Sequence, residues 1–421
     1  MRRLRPFLLA VLCLWCAGCR EEGSPVFKGL THAAYVWRQG WDDPAAASLA
    51  AGDLPAAVGE LVVLVGECGL GQPPRAVRPP WSRLQATGRR LALAVRIGTR
   101  SALGGDDEPD LREGFGLLDQ GLAAARAAGL APTGVQVDFD CPERLLAAYA
   151  ARLRQYRAAH PDLRLTVTAL PSWLEAPGCA ALFAAVDSFT LQLHATRRPN
   201  AQQPSELIAA GPALAWIARA EKFRRPFRVA LPTYAYLACF ARSGTFLGVR
   251  AETRELPAAT AWTRPLPADP QAVGQVLAVL ASGRHPWVEG IDWFRLPFPG
   301  DRQNWTRAGL AKVLAGERLQ EACVVEVQTK GPLYDLVVVN PTEQPLPLPR
   351  VRVRWHDATQ VAADAAQGWM VGPALREGQD FPADERAGFL APGERRVVGW
   401  LRLDRSAPGL RTEAVREQVG R

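Results

Sequence analysis

From residue 32 onward the chain alternates between short runs rich in β-branched and aromatic residues and longer segments with helical spacing. The short runs are His32–Trp37, Leu61–Glu67, Leu91–Ile97, Gly134–Asp140, Leu163–Leu170, Ser188–His194, Phe227–Tyr234 and Gly290–Phe294. Between several of them lie Ala-, Leu- and Arg-rich stretches, such as Gly116–Ala128, Pro142–His160 and Pro204–Phe223, whose apolar residues recur at helical intervals. Eight strands alternating with helices predict an α/β fold of the (β/α)8 barrel type.

Inside the strands the polarity has a period of two. In Gly134–Asp140, Val135, Val137 and Phe139 form one face, and Gln136, Asp138 and Asp140 the other. Ser188–His194 repeats the pattern, with Thr190, Gln192 and His194 opposite Phe189, Leu191 and Leu193. In Leu163–Leu170, Thr166 and Thr168 oppose the apolar odd positions. An open doubly wound sheet buries both faces under helices, so it does not account for a polar face. A barrel does, where its interior opens into a site. After about residue 320 the texture changes to strands without long helices: Cys323–Gln328, Leu333–Asn340, Val351–Trp355 and Arg395–Leu403, with Pro/Gly-rich turns such as Asn340–Pro349. This pattern predicts a small C-terminal β-sandwich. The expected organisation is a barrel over residues 28–318, a β-sandwich over 319–405 and a frayed polar tail over 406–421.

The first residues follow another logic. Arg2, Arg3 and Arg5 precede an apolar stretch, Phe7–Ala17, that is too short for a bilayer span of about 20 residues. Cys16-Ala17-Gly18-Cys19 then resembles a bacterial lipobox, with Cys16 in place of the usual leucine. Residues 1–18 therefore read as a lipoprotein signal, Cys19 as the lipidated first residue, and residues 19–27 as a linker. Arg20 stands where an inner-membrane retention aspartate would stand. The expectation is an exported protein anchored to an envelope membrane, on the outer-membrane side in preference to the inner.

Composition narrows the partners. The formal charge is +8, of which residues 1–18 contribute +3, leaving +5 for the mature chain. No basic run with interleaved aromatics occurs, so nucleic acid is not an expected partner. The mild positive charge suits a membrane surface or an acidic polymer equally. Beyond Cys19 the cysteines are Cys68, Cys141, Cys179, Cys239 and Cys323, with no CxxC and no histidine at metal spacing. No metal site is therefore expected. An exported protein can form disulfides, and Cys141 with Cys179 is the preferred pairing, since both lie just beyond neighbouring strands. No Walker loop, no GxGxxG after a strand and no GxSxG elbow is present, so no cofactor is expected.

The chemistry concentrates in Gly134-Val-Gln-Val-Asp-Phe-Asp-Cys-Pro-Glu143. Asp138 and Asp140 share a face at the C-terminal end of the fourth strand, roughly 6.5–7 Å apart along it, where barrels build active sites. Crowding two carboxylates raises one pKa and sets a proton donor beside an anion, the pairing that glycosidic cleavage uses. The same residues admit plainer roles: an ion pair with Arg96 inside the barrel mouth, or, for Asp140, a cap on the following helix. Tyr35, Trp37, Trp173, Tyr234, Tyr236 and Trp293 fall near strand ends, as a stacking platform for pyranose rings or as packing. Glu67, at the end of the second strand, stays open.

His32–Trp37, Val135–Pro142, Thr166–Leu174 and Leu191–Ala195 resemble the bacterial family called domain of unknown function 3142, over most of the mature chain. More distantly the barrel resembles family 18 glycoside hydrolases, whose fourth strand reads Asp-x-x-Asp-x-Asp-x-Glu. On that pattern Gln136 and Asp138 take the second and third acidic positions, and Asp140 that of the glutamate acid. Val229–Tyr234 is similar to the family's seventh strand, and Trp293 to the tryptophan that floors the site. Gln192 and His194 stand where a sixth-strand Met and Tyr would. Thr133 and Gln136 replace two of the acids, and Asp140 is one methylene shorter than glutamate; these departures speak against chitinase activity as such. The expectation is a membrane-anchored barrel acting on an envelope or extracellular polysaccharide. In it Asp140 is the general acid, Asp138 a charge-stabilising or acetamido-orienting group, and Gln136, Gln192, His194 and the aromatics contact the sugar. A non-catalytic glycan-binding lipoprotein is the alternative.

Overall fold

In the computed structural model, residues 29–49, 54–69, 73–98, 108–203, 205–251 and 255–416 are described. Eight parallel strands close on one another: Thr31–Val36, Val58–Cys68, Arg90–Ile97, Gly134–Phe139, Arg164–Ala169, Ser188–Gln192, Phe227–Pro232 and Val288–Phe294. Each pairs with the next, and the first pairs with both the second and the eighth, which completes the ring. A helix follows every strand, from Asp43–Ala47 after the first to Arg307–Leu314 after the eighth. The fold is a (β/α)8 barrel, as the alternation predicts. The helix starts obey local chemistry: the Asp269 carboxylate accepts from the Gln271 backbone N–H at 2.8 Å, with Pro270 opening the helix Pro270–Ala281.

Parity decides what each strand buries. Val135, Val137 and Phe139 face the helices, packed in one continuous core with Phe189, Leu191, Val229, Ile291 and Trp293. The interior face is polar. The Asp292 carboxylate accepts from Arg228 Nε at 2.5 Å and from the Thr190 hydroxyl at 2.6 Å. Thr190 in turn accepts from the Gln136 side-chain amide at 3.0 Å. Arg228 also donates to the Thr31 hydroxyl at 2.6 Å and to the Ile291 carbonyl at 2.9 Å. This network ties the first, fourth, sixth, seventh and eighth strands across the barrel. Gly290 makes room for it, since a Cβ there would stand 2.3 Å from an Arg228 guanidinium nitrogen.

Between the seventh strand and its helix lies an antiparallel sheet, Ala235–Phe240, Phe246–Arg250 and Trp262–Pro267. The pattern of apolar positions does not foretell it. Its far side rests on the C-terminal region: Thr263 donates its N–H to the Glu385 carbonyl and its hydroxyl to the Ala387 carbonyl, at 2.8 and 2.9 Å, and Leu237 packs with Phe389. That region holds two four-stranded antiparallel sheets around Tyr334, Leu336, Val351, Trp355, Phe381 and Leu401.

Two expectations are corrected here. The tail is not frayed throughout: Arg411–Val415 pairs antiparallel with Arg350–Arg354, because an edge strand needs backbone partners and not an apolar face. The remaining residues of the tail, 417–421, lie outside the described residues, as do the signal, Cys19 and the linker to residue 27. Cys141 and Cys179 are both buried, each filling the helix layer as a small apolar side chain, and no bridge joins them. Among the described residues no helix is long and apolar enough to cross a membrane.

Removing Asp292 strands a guanidinium in the barrel. Asp292→Ala should cost about 3–5 kcal/mol, read as a lowered denaturation midpoint at unchanged slope. Asp292→Ala combined with Arg228→Met should recover part of that loss. A single variant as stable as the parent would show that the pair does not hold the barrel.

Candidate functional site

The C-terminal mouth of the barrel opens into a cleft of about 910 Å³. Strand parity delivers its floor: Tyr35 from the first strand, Arg96 from the third, Asp138 from the fourth, Thr168 from the fifth, Gln192 from the sixth and Phe294 from the eighth. Loops just beyond strand ends add Trp37, Asp140, His194 and Tyr234, and the inserted sheet adds Tyr236, Phe246 and Val249.

Of the residues expected in a site, Asp138, Asp140, Gln192, His194, Tyr35, Trp37 and Tyr234 meet in this cleft. Gln136 lies one layer deeper, bonded to Thr190. Trp173 and Trp293 do not reach it. Trp173 is buried in a 3-10 turn, Pro171–Glu175, within the helix layer. Trp293 alternates with the interior residues Asp292 and Phe294, so it points outward, stacks on His32 and donates to its Nδ1 at 3.2 Å. Phe294 takes the place expected for Trp293. The period of two along Gly290–Phe294 carries that signal, and the resemblance to family 18 points one residue away from it. Arg96 could be read only as an ion-pair partner and Thr168 only as an inward-facing strand residue, while Arg197, Phe246 and Val249 carry no motif.

Phe294 gathers the aromatic lining. Trp37 and Tyr35 meet it edge-on, with ring centres 5.5 and 5.4 Å away, Tyr234 at 5.6 Å, and the His194 ring stacks at 5.4 Å. Rings at these spacings form a preorganised apolar wall. Burial holds His194 neutral, its pKa lowered to about 3. Its Nδ1 sits 3.4 Å from the Tyr234 hydroxyl, and its Nε2 has no hydrogen-bond partner among the described residues. Ala195 adopts a left-handed φ of 52°, a costly conformation for a residue with a Cβ, and Gln192 donates to the His194 carbonyl at 2.9 Å. Together these turn the chain sharply after the sixth strand and hold the imidazole over the cleft. Burial also keeps the phenols protonated, with Tyr236 pushed up to about 12.

The carboxylates differ from each other. Asp140 is exposed and caps nothing: the 3-10 turn Glu143–Leu145 and the helix Leu146–Ala159 both begin without a side-chain cap. Asp138 is half-buried, and its pKa rises to about 6. Burial is the main cause; Arg96, its register partner on the third strand, pulls it down, while the like charge of Asp140 pushes it up. The Thr168 hydroxyl stabilises the anion, and Glu67 disfavours it. Glu67 itself is buried and accepts from the Gln39 amide at 2.5 Å. Neither aspartate forms a salt bridge with another described residue, so neither plain role accounts for the pair. Below about pH 6 Asp138 keeps its proton beside the exposed carboxyl of Asp140, which places a proton donor next to a second acidic group, the pairing needed to protonate a leaving oxygen. Among the described residues no cluster of His, Cys, Asp or Glu is arranged to hold a metal.

The signs of these couplings are testable without substrate. Carbon-13 detection of the Asp138 carboxyl should give a midpoint near 6. Asp140→Asn should lower it by removing a like charge, and Arg96→Gln should raise it by removing an opposite one. Because burial of the charged form disfavours folding, Asp138 costs stability as pH rises from its unfolded pKa through about 6. Asp138→Asn should therefore stabilise the protein at pH 8 by on the order of 2 kcal/mol, and by much less at pH 4. An Asp138 midpoint below 4 would remove the basis for its proton-bearing role.

Known structures align with the chain at low identity. The spore cortex-lytic enzyme SleL of Bacillus cereus aligns with a TM-score of 0.49 at 10% identity, over 69% of this chain and 74% of that one. The chitinase ChiA74 of Bacillus thuringiensis aligns at 0.45 and 10%, over 92% and 100%. A glycoside hydrolase family 18 N-acetylglucosaminidase of Paenibacillus barengoltzii aligns at 0.40 and 11%, over 68% and 100%. Likenesses of this depth say nothing about chemistry. No curated protein sequence matches the chain. A family model does match it, over residues 87–299, a span that runs from the approach to the third strand through the eighth. The chain belongs to the family described as domain of unknown function (DUF3142).

Proposed function

We propose that this protein is a glycoside hydrolase tethered to a bacterial envelope membrane, cleaving an envelope or extracellular polysaccharide. The observation that carries the reading is the Asp138/Asp140 pair on the floor of an aromatic cleft, free of salt bridges among the described residues, with Asp138 holding its proton to about pH 6. Asp138 is the proton donor to the glycosidic oxygen, and Asp140, exposed in the same cleft, is the anion that stabilises oxocarbenium character or activates the attacking water. This exchanges the roles that sequence pattern suggests, because depth in the barrel and not order along the strand decides which carboxyl keeps its proton. The neutral phenols of Tyr234 and Tyr236 supply hydrogen bonds to sugar hydroxyls. The rings around Phe294 stack on the apolar faces of pyranoses. Side chains alone suffice for this acid/base chemistry. Acylation of Cys19 confines it to polymers within reach of a membrane.

Purified protein incubated with a polysaccharide panel should release reducing ends from at least one member. Asp138→Asn and Asp140→Asn should each lower that rate by about 10²–10⁴. Activity should fall as pH rises through about 6, since the donor must be protonated, and Arg96→Gln should move that limb upward. Binding of a panel member with no cleavage would replace the hydrolase by a glycan-binding protein. In cells, Cys19→Ala should abolish incorporation of labelled palmitate and release the protein from the membrane fraction. Retained label in that variant would place the anchor elsewhere.

A further inference from the structure

The cleft walls carry more positive charge than the acid/base pair uses. Arg38, Arg96, Arg197, Arg198 and Arg295 all line it, arriving from the first, third, sixth and eighth strands. Two of them are spent on protein carboxylates. Asp301 sits 3.7 Å from Arg38 and 3.5 Å from Arg295, with Asp42 at 4.0 Å from Arg38. The other three have no salt bridge with a described residue. Arg198 lies over the Phe246 ring at 5.0 Å and donates to the Phe246 carbonyl at 3.5 Å. Arg96 stands beside Asp138 in register. Arg197 is exposed on the wall directly after the left-handed turn at Ala195. Only four of the chain's 50 basic residues are lysine, so the argument rests on where these guanidiniums stand and not on their being arginine.

A neutral glycan would give up solvation of these cations and return little. An anionic sugar would return charge-assisted, bidentate hydrogen bonds in a site already partly desolvated. From the juxtaposition of Arg96, Arg197 and Arg198 with the aromatic wall around Phe294, we infer that the cleft selects a carboxylate-bearing glycan, a polymer containing uronic acid or a sugar with an acidic ether. The inference rests on the hydrolase reading of the same cleft and names its substrate class. The aromatic rings take the pyranose faces, and Arg197 and Arg198 hold the sugar carboxylates along the sixth-strand side. Arg96 sits nearest the acid pair, where a substrate carboxylate would also favour the protonated form of Asp138.

The test measures calorimetric affinity of the full-length protein in detergent for hexasaccharides of polygalacturonate, alginate and hyaluronan, each beside its carboxyl-reduced form, with chitohexaose and a glycerol-phosphate oligomer as further arms. At least one acidic hexasaccharide should bind about tenfold or more tighter than its reduced form, with the preference shrinking in salt. Arg197→Gln should shrink that ratio several-fold, and Arg197→Lys should keep part of it. Equal melting temperatures of the two variants confirm that the fold is retained. Equal affinity for acidic and reduced forms, tighter binding of the phosphate oligomer, or no binding by any arm would overturn the inference. So would a loss in Arg197→Gln that is equal for both forms. Cleavage of chitohexaose that is lost in Asp138→Asn would keep the hydrolase and discard the acidic substrate. Acidic hexasaccharides that bind and are never cleaved would do the reverse.

Discussion

Closing eight parallel strands into a ring forces every second side chain into a narrow interior, and here that interior is lined with polar groups. Charge so placed must be paired, because an isolated ion away from water costs several kcal/mol even after relaxation. Arg228 and Asp292 satisfy one another, with Thr190, Gln136 and Thr31 taking up remaining donors and acceptors. The pair joins the neighbouring seventh and eighth strands, and the bond from Arg228 to Thr31 extends it to the first strand, which lies alongside only once the barrel has closed. Gly290 is part of the same device, since any side chain there would displace the guanidinium. The upper layer, where Asp138, Arg96 and Thr168 sit, inherits its positions from this lower one through strand register.

The cleft is costly in ways the rest of the barrel is not. Asp138 lacks a salt bridge with any described residue and carries a raised pKa, His194 is held neutral with an unpartnered Nε2, and Ala195 occupies a left-handed conformation. Departures from local preference that gather in one place, while the surrounding core is apolar and fully packed, are what functional sites look like energetically. The helix layer, with its continuous core, is where the stability to tolerate them resides.

The C-terminal sheets take part in shaping the cleft. The inserted sheet that contributes Tyr236, Phe246 and Val249 would be a three-stranded flap if unsupported. Hydrogen bonds from Thr263 and the packing of Leu237 on Phe389 fasten its far side to the C-terminal region. Lys312, on the last barrel helix, adds an ion pair with Glu343 at 3.0 Å. Substitutions along this seam are therefore expected to act on the cleft wall at a distance.

Strand positions, the closed barrel and the inward direction of Asp138 follow from a period of two in a few short segments, and they were legible in the sequence. So was the meeting of Tyr35, Trp37, Gln192 and His194 at one end, since parity and strand order suffice for that. Trp293 shows where resemblance and parity conflict, and parity prevails because a pleated strand cannot turn two successive side chains to the same face. Other features have no local signature. The inserted sheet pairs across a long loop, and the edge strand Arg411–Val415 is recruited by Arg350–Arg354. Cys141 and Cys179 pack separately in the helix layer, and the three arginines on the cleft lack a salt bridge with any described carboxylate. The sequence by itself determined that two carboxylates face the inside of a barrel at its C-terminal end. Only the tertiary structure raised the pKa of Asp138, because a pKa depends on depth and on the charges that closure brings alongside, and neither is a property of one strand.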